Sequence, residues 1–304
     1  HPIEQPVKNP AEIGQLFDAI SYSKGASILR MLEQFLGEET FKLGLRNYLK
    51  EHSYNNATTH DLWKALEHAS GLPVNEIMES WTTQTGFPVL KVNTHKEDQD
   101  SVSINFEQNQ FRYDNILTDQ EKNNSIWQIP LSVSSSGSNE IIRELMTSET
   151  FSVSFKSCNN SWIKVNPGHT AFYRVQYETS DLENLAHPIS SLFLEASDRL
   201  GIQSDTFALA KAGVIDAKSY LILLNSYPNE TDASVWSDIA SNIEYFSNLL
   251  ENSTLYPKFK NFVINTIEPS ATKSGWDPKP NESHLDSLRR STLLNLLGKF
   301  GDIP

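Results

Sequence analysis

The sequence predicts a multidomain α+β protein: a helical segment, then a small β-sandwich, then a second and longer helical segment. Three observations carry this expectation. Apolar residues recur at helical spacing up to Gly86, at every second position over several short runs between Val102 and Tyr177, and at helical spacing again from Asp181 onward. At ~100–200 residues per domain, 304 residues accommodate two or three domains. The expected divisions are residues 1–86, 87–177 and 178–304.

In the first segment, Ile28, Leu29, Leu32, Phe35 and Leu36 form one helical face, and Gly37 follows as a stop. Phe41, Leu45, Tyr48 and Leu49 form a second. Thr58 and Asp61 stand at capping-box spacing ahead of Leu62, Leu66 and Ala69, and Gly71 ends that helix. Ile77 and Trp81 sit one turn apart, and Gly86 closes the segment. Phe87-Pro88 cannot continue a helix. Beyond it, Val102, Ile104 and Phe106 alternate with polar residues, as do Trp127, Ile129, Leu131 and Val133, and then Phe151, Val153 and Phe155. Period two marks half-buried strands. Trp162–Val165 and Ala171–Tyr177 read as the last strands, joined by Asn166-Pro167-Gly168. In the third segment, helical faces appear over Phe207–Ala212, Tyr220–Leu224, Val235–Phe246 and Phe259–Ile267. Pro269–Ser283, rich in Pro, Ser, Lys and Asn, reads as an exposed loop. Paired helices of this length predict a superhelical stack that continues past Pro304.

Composition excludes several classes. Lys and Arg number 25 against 38 Asp and Glu, a net charge of −13 that repels nucleic acid and anionic membrane surfaces. The longest wholly apolar run, Tyr220 to Leu224, falls far short of the ~20 residues of a membrane helix. No signal-peptide pattern opens the chain, and a start at His1 rather than Met suggests a fragment. The single cysteine, Cys158, favours a reducing compartment, so a cytoplasmic location is expected. Six N-x-S/T sites, beginning at Asn56, Asn123, Asn159, Asn229, Asn252 and Asn281, are no clear excess over chance in a chain this rich in Asn, Ser and Thr.

The residues that could carry chemistry are few. None of the eight histidines is followed by Glu, so H-E-x-x-H is absent. His60 and His68 stand about 80° apart and two turns from each other on an ideal helix, poor for one metal. No metal site is therefore expected in this chain. Cys158 has no neighbouring His and reads as structural. Glu97, Asp98 and Asp100, with Lys96, read as a solvated hairpin tip. Neither G-x-x-x-x-G-K nor G-x-G-x-x-G occurs. One segment stands out, Phe17-Asp18-Ala19-Ile20-Ser21-Tyr22-Ser23-Lys24-Gly25-Ala26. Gly25 inside a helix start costs ~1 kcal/mol relative to Ala, which a helix tolerates where close packing or a ligand needs the room. Tyr22 would then stand near a helix N-terminus, where a phenol facing a cleft can donate to an oxyanion; read alone, a buried structural Tyr fits the segment better.

FDAISYSKGASILRML closely resembles the helix that carries the catalytic Tyr in the gluzincin zinc aminopeptidases. The resemblance extends over nearly the whole chain: HPIEQPV, LGEETFKLGLRNYLKEHSYNNATTHDLWKALEHASG, the W-T-x-Q-x-G-F-P-V stretch from Trp81 to Val89, NPGHTAFYRVQY, and SDRLGIQSDTFALAKAGVI. It is nearest to the puromycin-sensitive and fungal cytosolic branch. The resemblance implies that residues 1–86 are the helical end of a thermolysin-like catalytic domain, 87–177 a small β-sandwich, and 178–304 the opening of a large helical domain. It implies hydrolysis of N-terminal residues from peptide substrates, with Tyr22 stabilising the tetrahedral intermediate and Phe17 lining the pocket for the N-terminal side chain. Lys24 and Gly25 belong to the same motif and read as structural, Lys24 pairing with a nearby carboxylate. Zinc is implied in the intact parent enzyme, held by H-E-x-x-H and a later Glu. That motif and the G-x-M-E-N segment that binds the substrate amino group are both absent here. The partner so implied is a missing upstream catalytic half, without which the chain would be inactive. The competing reading is a non-catalytic helical-stack and β-sandwich interaction module; an epoxide-hydrolase sibling ranks below both.

Overall fold

A computed structural model of the chain describes residues 1–96, 101–113, 125–156 and 161–301. Cys158, the acidic residues Glu97, Asp98 and Asp100, and the sequon residues Asn123 and Asn159 lie outside these described residues. Two units divide the chain, His1–Tyr177 and Glu178–Pro304.

In the first unit, a 3₁₀ turn (Pro10–Leu16) and a π-turn (Ile20–Lys24) lead into α1 (Gly25–Leu36), α2 (Glu38–Glu51), α3 (Thr59–Ser70) and α4 (Val74–Thr82). Helix α1 buries Ile28, Met31, Leu32 and Leu36. That stripe leaves Leu29 outside it, so Leu29 is exposed and Met31 takes the place its apolarity suggested. Helices α2 and α3 cross at Gly44, where a Cβ would stand 2.6 Å from Leu66 Cδ2 and 3.1 Å from Leu66 Cα. The capping box at Thr58 and Asp61 is formed in both directions, with Thr58 N donating to Asp61 Oδ2 at 2.7 Å.

Among the described residues seven strands follow: β1 (Pro88–Lys96), β2 (Ser101–Gln110), β3 (Ile129–Ser135), β4 (Ser138–Met146), β5 (Thr150–Lys156), β6 (Ile163–Val165) and β7 (Arg174–Gln176). They form two small sheets, ordered β5-β2-β1-β7 and β4-β3-β6. Pairing is antiparallel except between β1 and β7. Val92 lies opposite Phe106 and both are buried. Trp81 of α4 is wholly buried; its indole N–H donates to Gln128 O at 2.8 Å, and its ring lies 6.2 Å from Trp127 and 6.5 Å from Phe172. The buried Gln108 amide bonds Trp127 N, Trp127 O and Ser148 O, so its polar atoms are satisfied. Gly86 turns the chain from α4 into β1 at φ +84, a left-handed conformation, and a Cβ there would meet Gln110 Nε2 at 2.7 Å.

Strands β1 and β4 escaped the alternation pattern, for two reasons. In β1, adjacent Val89 and Leu90 are both buried, which breaks period two. In β4, an edge strand, most side chains are exposed, Ile141 among them, so no apolar face forms. Of the stretch Ala171–Tyr177, only Arg174–Gln176 pairs as a strand.

The second unit holds α5 (Thr179–Ser190), α6 (Ala196–Lys211), α7 (Ala217–Leu224), α8 (Ala233–Leu250), α9 (Tyr256–Ser274) and α10 (His284–Phe300). Helix α6 packs on α7 and α8, and α10 on α8 and α9. The expected loop at Pro269–Ser283 begins only at Gly275, because α9 runs through Pro269 to Ser274. The proline removes one N–H donor and adds a clash, yet Ser270, Ala271 and Ser274 beyond it are buried. That burial, with Ser270 Oγ donating to Pro228 O at 3.1 Å, holds the last turn.

A buried ion pair organises this unit. The Arg199 guanidinium meets Glu230 through two bonds, Nε to Oε2 at 2.6 Å and Nη2 to Oε1 at 2.7 Å, and Arg199 Nη1 donates to Leu194 O at 2.5 Å. Glu230 Oε1 also accepts from Thr231 N and Asp232 N. The arginine side chain is 6% exposed and the glutamate 1%. Removing one partner of such a pair leaves a buried charge unmatched, at a cost of about 3–5 kcal/mol. Glu230→Gln, which keeps the shape, is therefore expected to lower the thermal melting transition of this unit sharply. An unchanged melt would show the pair to be dispensable.

Candidate functional site

Tyr22 and Phe17 are held by a short stretch with few buried side chains. Asn9 caps the 3₁₀ turn through Oδ1, which accepts from Ala11 N at 3.0 Å. Past that turn, Asp18 Oδ1 accepts from Ser21 N at 2.9 Å and Asp18 O accepts from Tyr22 N at 3.1 Å. These bonds start the π-turn Ile20–Lys24 that runs into α1. Such wide turns gather at functional sites. Tyr22 is 63% exposed and Phe17 67% exposed, their rings 6.1 Å apart and tilted by 37°. A buried Tyr22, the reading its residues alone favoured, is therefore excluded.

Sequence reasoning missed His1, which joins this stretch from 17 positions away. His1 Nε2 and Asp18 Oδ2 are 2.5 Å apart. The Pro2 carbonyl, at 2.7 Å from Nδ1, and then Asp18 raise the imidazole above its usual range. The Ser21 N–H and then His1 hold the Asp18 carboxyl below its own. The only sequence signal for this pairing was HPIEQPV, carried by resemblance rather than by spacing.

Lys24 corrects an expectation. It is buried, and its ammonium donates to a backbone carbonyl, Gln84 O at 3.0 Å, rather than to a carboxylate. Gly25 corrects another, since nothing stands within 4 Å of the Cβ it lacks and close packing does not explain it. The described residues do not fit a metal: no three of His, Cys, Asp and Glu among them gather to hold one, and His60 and His68 both lie exposed on α3. No helix among the described residues is long and apolar enough to cross a membrane.

Known proteins are similar to most of this chain. Residues 1–81 match the profile of the peptidase family M1 domain, and residues 162–304 that of the ERAP1-like C-terminal domain. The chain is 38% identical over 321 residues to Aminopeptidase M1 of Arabidopsis thaliana. The chain belongs to the M1 peptidase family. It is also similar to Glutamyl aminopeptidase of Bos taurus, 37% identical over 310 residues, and to Aminopeptidase M1-A of Oryza sativa subsp. japonica, 38% identical over 312 residues. Each alignment takes in 99% of this chain but only 35%, 31% and 34% of these relatives, so the chain spans about a third of their length. The exposed Tyr22 and Phe17 fall inside the part that matches the M1 domain.

Burial gives Lys24 a testable signature. It lowers the ammonium from 10.5 to about 8. Between those values the unfolded chain holds a proton that the folded chain has lost, so this group makes stability rise with pH across that window and contributes no slope below it. The difference in unfolding free energy between the parent chain and Lys24→Met, from urea titrations at pH 7.5, 9 and 10.5, is expected to shift in favour of the parent as pH rises. A constant difference would contradict the burial of a charged amine.

Proposed function

We propose that this chain supplies part of the active site of an M1 aminopeptidase, one that removes N-terminal residues from peptides, and that Tyr22 carries its chemistry. The observation that supports this best is a large phenol, 63% exposed, on a π-turn within the region matching the M1 domain. A tyrosine hydroxyl carries an O–H that can donate a hydrogen bond. As water adds to the scissile carbonyl, charge builds on that oxygen. A fixed O–H pointing at it stabilises the tetrahedral state more than the planar substrate, which is the condition for catalysis. Phe17, exposed beside Tyr22, presents an apolar surface suited to the side chain of the substrate's first residue. The open space over Gly25 fits the approach of a ligand to this face.

In this reading residues 1–86 close a thermolysin-like domain, 87–177 form its β-sandwich neighbour and 178–304 open a helical domain. In the same reading the family's metal, and the base that activates water, are supplied by residues other than the described ones, among which no ligand set gathers. One donor without them leaves the chain inactive alone. After dialysis the isolated chain is accordingly expected to carry far less than one zinc per molecule by elemental analysis. One tightly held zinc would overturn this division of labour.

Tyr22→Phe keeps the ring and removes the hydroxyl. In the complete enzyme carrying this chain, the loss is expected to be ~10²–10³ in kcat, about 2.7–4 kcal/mol, with KM within a few fold. A structural Tyr would instead lower the melting temperature and leave kcat nearly intact. Kinetics on an aminoacyl anilide beside a thermal melt decides, and a kcat within threefold of the parent would sink the assignment.

A further inference from the structure

Lys24 is the one buried residue of the π-turn that carries Tyr22, and the turn's last residue before α1. Its ammonium reaches 60 positions along the chain to Gln84 O. That carbonyl is no loose acceptor. The Gln84 side chain is clamped by its own amide, whose Nε2 donates to Ser80 O at 2.8 Å and to Ile126 O at 2.9 Å. Two residues earlier, Thr82 O accepts from Glu4 N at 2.9 Å, which ties the segment bearing His1 to the same place. Across the turn, Tyr22 and Ser23 are exposed. The turn is thus held at its start by the bond from Ser21 N to Asp18 Oδ1 and at its end by Lys24.

We propose that Lys24 is a positioning residue for Tyr22: its bond to the fixed Gln84 carbonyl sets the rotation of the π-turn, and with it the direction of the phenol. This rests on Tyr22 being the oxyanion donor. Burying an amine on a neutral partner costs stability, so a side chain kept only for stability would be better replaced by an apolar one of the same length. What the amine adds is a directional contact between the turn and a rigid point.

The test is a double-mutant cycle in the complete enzyme. Lys24→Met keeps the apolar stem and removes the donor. Misplacing a catalytic group by about an ångström costs up to ~10² in rate, so kcat is expected to fall about ten- to a hundredfold. KM should stay within about threefold and the melting temperature should not fall. Lys24→Arg, which restores a donor, should recover part of the loss. In a Tyr22→Phe background Lys24→Met should change kcat by less than about threefold, because the hydroxyl it positions is gone. If Lys24→Met fails to fold, Lys24→Gln, too short to reach the carbonyl, goes through the same cycle. Multiplicative effects in the double variant, or a normal kcat for Lys24→Met while Tyr22→Phe is impaired, would overturn the positioning role. A silent Tyr22→Phe would overturn the oxyanion assignment and this role together, so the two failures are told apart by which single variant is silent.

Discussion

The C-terminus of α4 is where the first unit is tied together. A helix leaves its last carbonyls without internal partners, and here a nearby side chain and a distant segment fill them. Ser80 O takes the Gln84 amide and Thr82 O takes Glu4 N. Just past the helix, Gln84 O takes the Lys24 ammonium, a cation placed where the helix dipole favours one. From the same helix, Trp81 and Ser80 reach Gln128 at the edge of the sheets. One helix end thus fixes the stretch around His1, the turn bearing Tyr22 and the approach to β3. The exposed aromatic pair can stand in solvent because what lies behind it is anchored there.

The second unit relies on buried polar groups in another way. Arg199 and Glu230 join the start of α6 to the segment before α8, and Tyr227 donates to Arg199 O at 2.7 Å. Farther along α6, Gln203 Oε1 accepts from Tyr220 and Asn242, so α6, α7 and α8 meet at one amide. Burial drives the Tyr220 phenol far above its usual range and keeps it a donor. Networks of this kind are costly unless every member is matched. Matched, they allow few alternative ways to stack helices whose apolar surfaces are otherwise interchangeable.

What the sequence revealed and what it hid divide along local and distant interactions. The Thr58–Asp61 box is legible because both partners lie within one turn. The helical faces and the strands β2, β3 and β5 are legible because each buries one side. Strand β4 is hidden because an edge strand has little to bury, and the end of α9 because proline and polar residues outweigh any local sign that Ser270 and Ser274 turn inward. Within the candidate site, Tyr22 and Phe17 stand in one motif and could be found by resemblance. The Asp18–His1 and Lys24–Gln84 contacts join positions 17 and 60 residues apart, and no spacing rule pairs an ammonium with a backbone carbonyl.

The π-turn uncouples two phases. An ordinary helix advances about 100° per residue, so a chain helical from Ala19 onward would fix the bearing of Tyr22 relative to the stripe of Ile28, Met31, Leu32 and Leu36. The wider turn inserts slack between the two. The aromatic ring can face outward while the stripe downstream keeps its contact with the core. Deleting one residue between Ile20 and Lys24 would leave α1 seated and swing the phenol around the helix axis. Inserting or deleting one residue inside α1 would do the reverse, unseating the core and sparing the aim. Length changes in this stretch therefore have a grammar, in which the joint tolerates what the shaft does not.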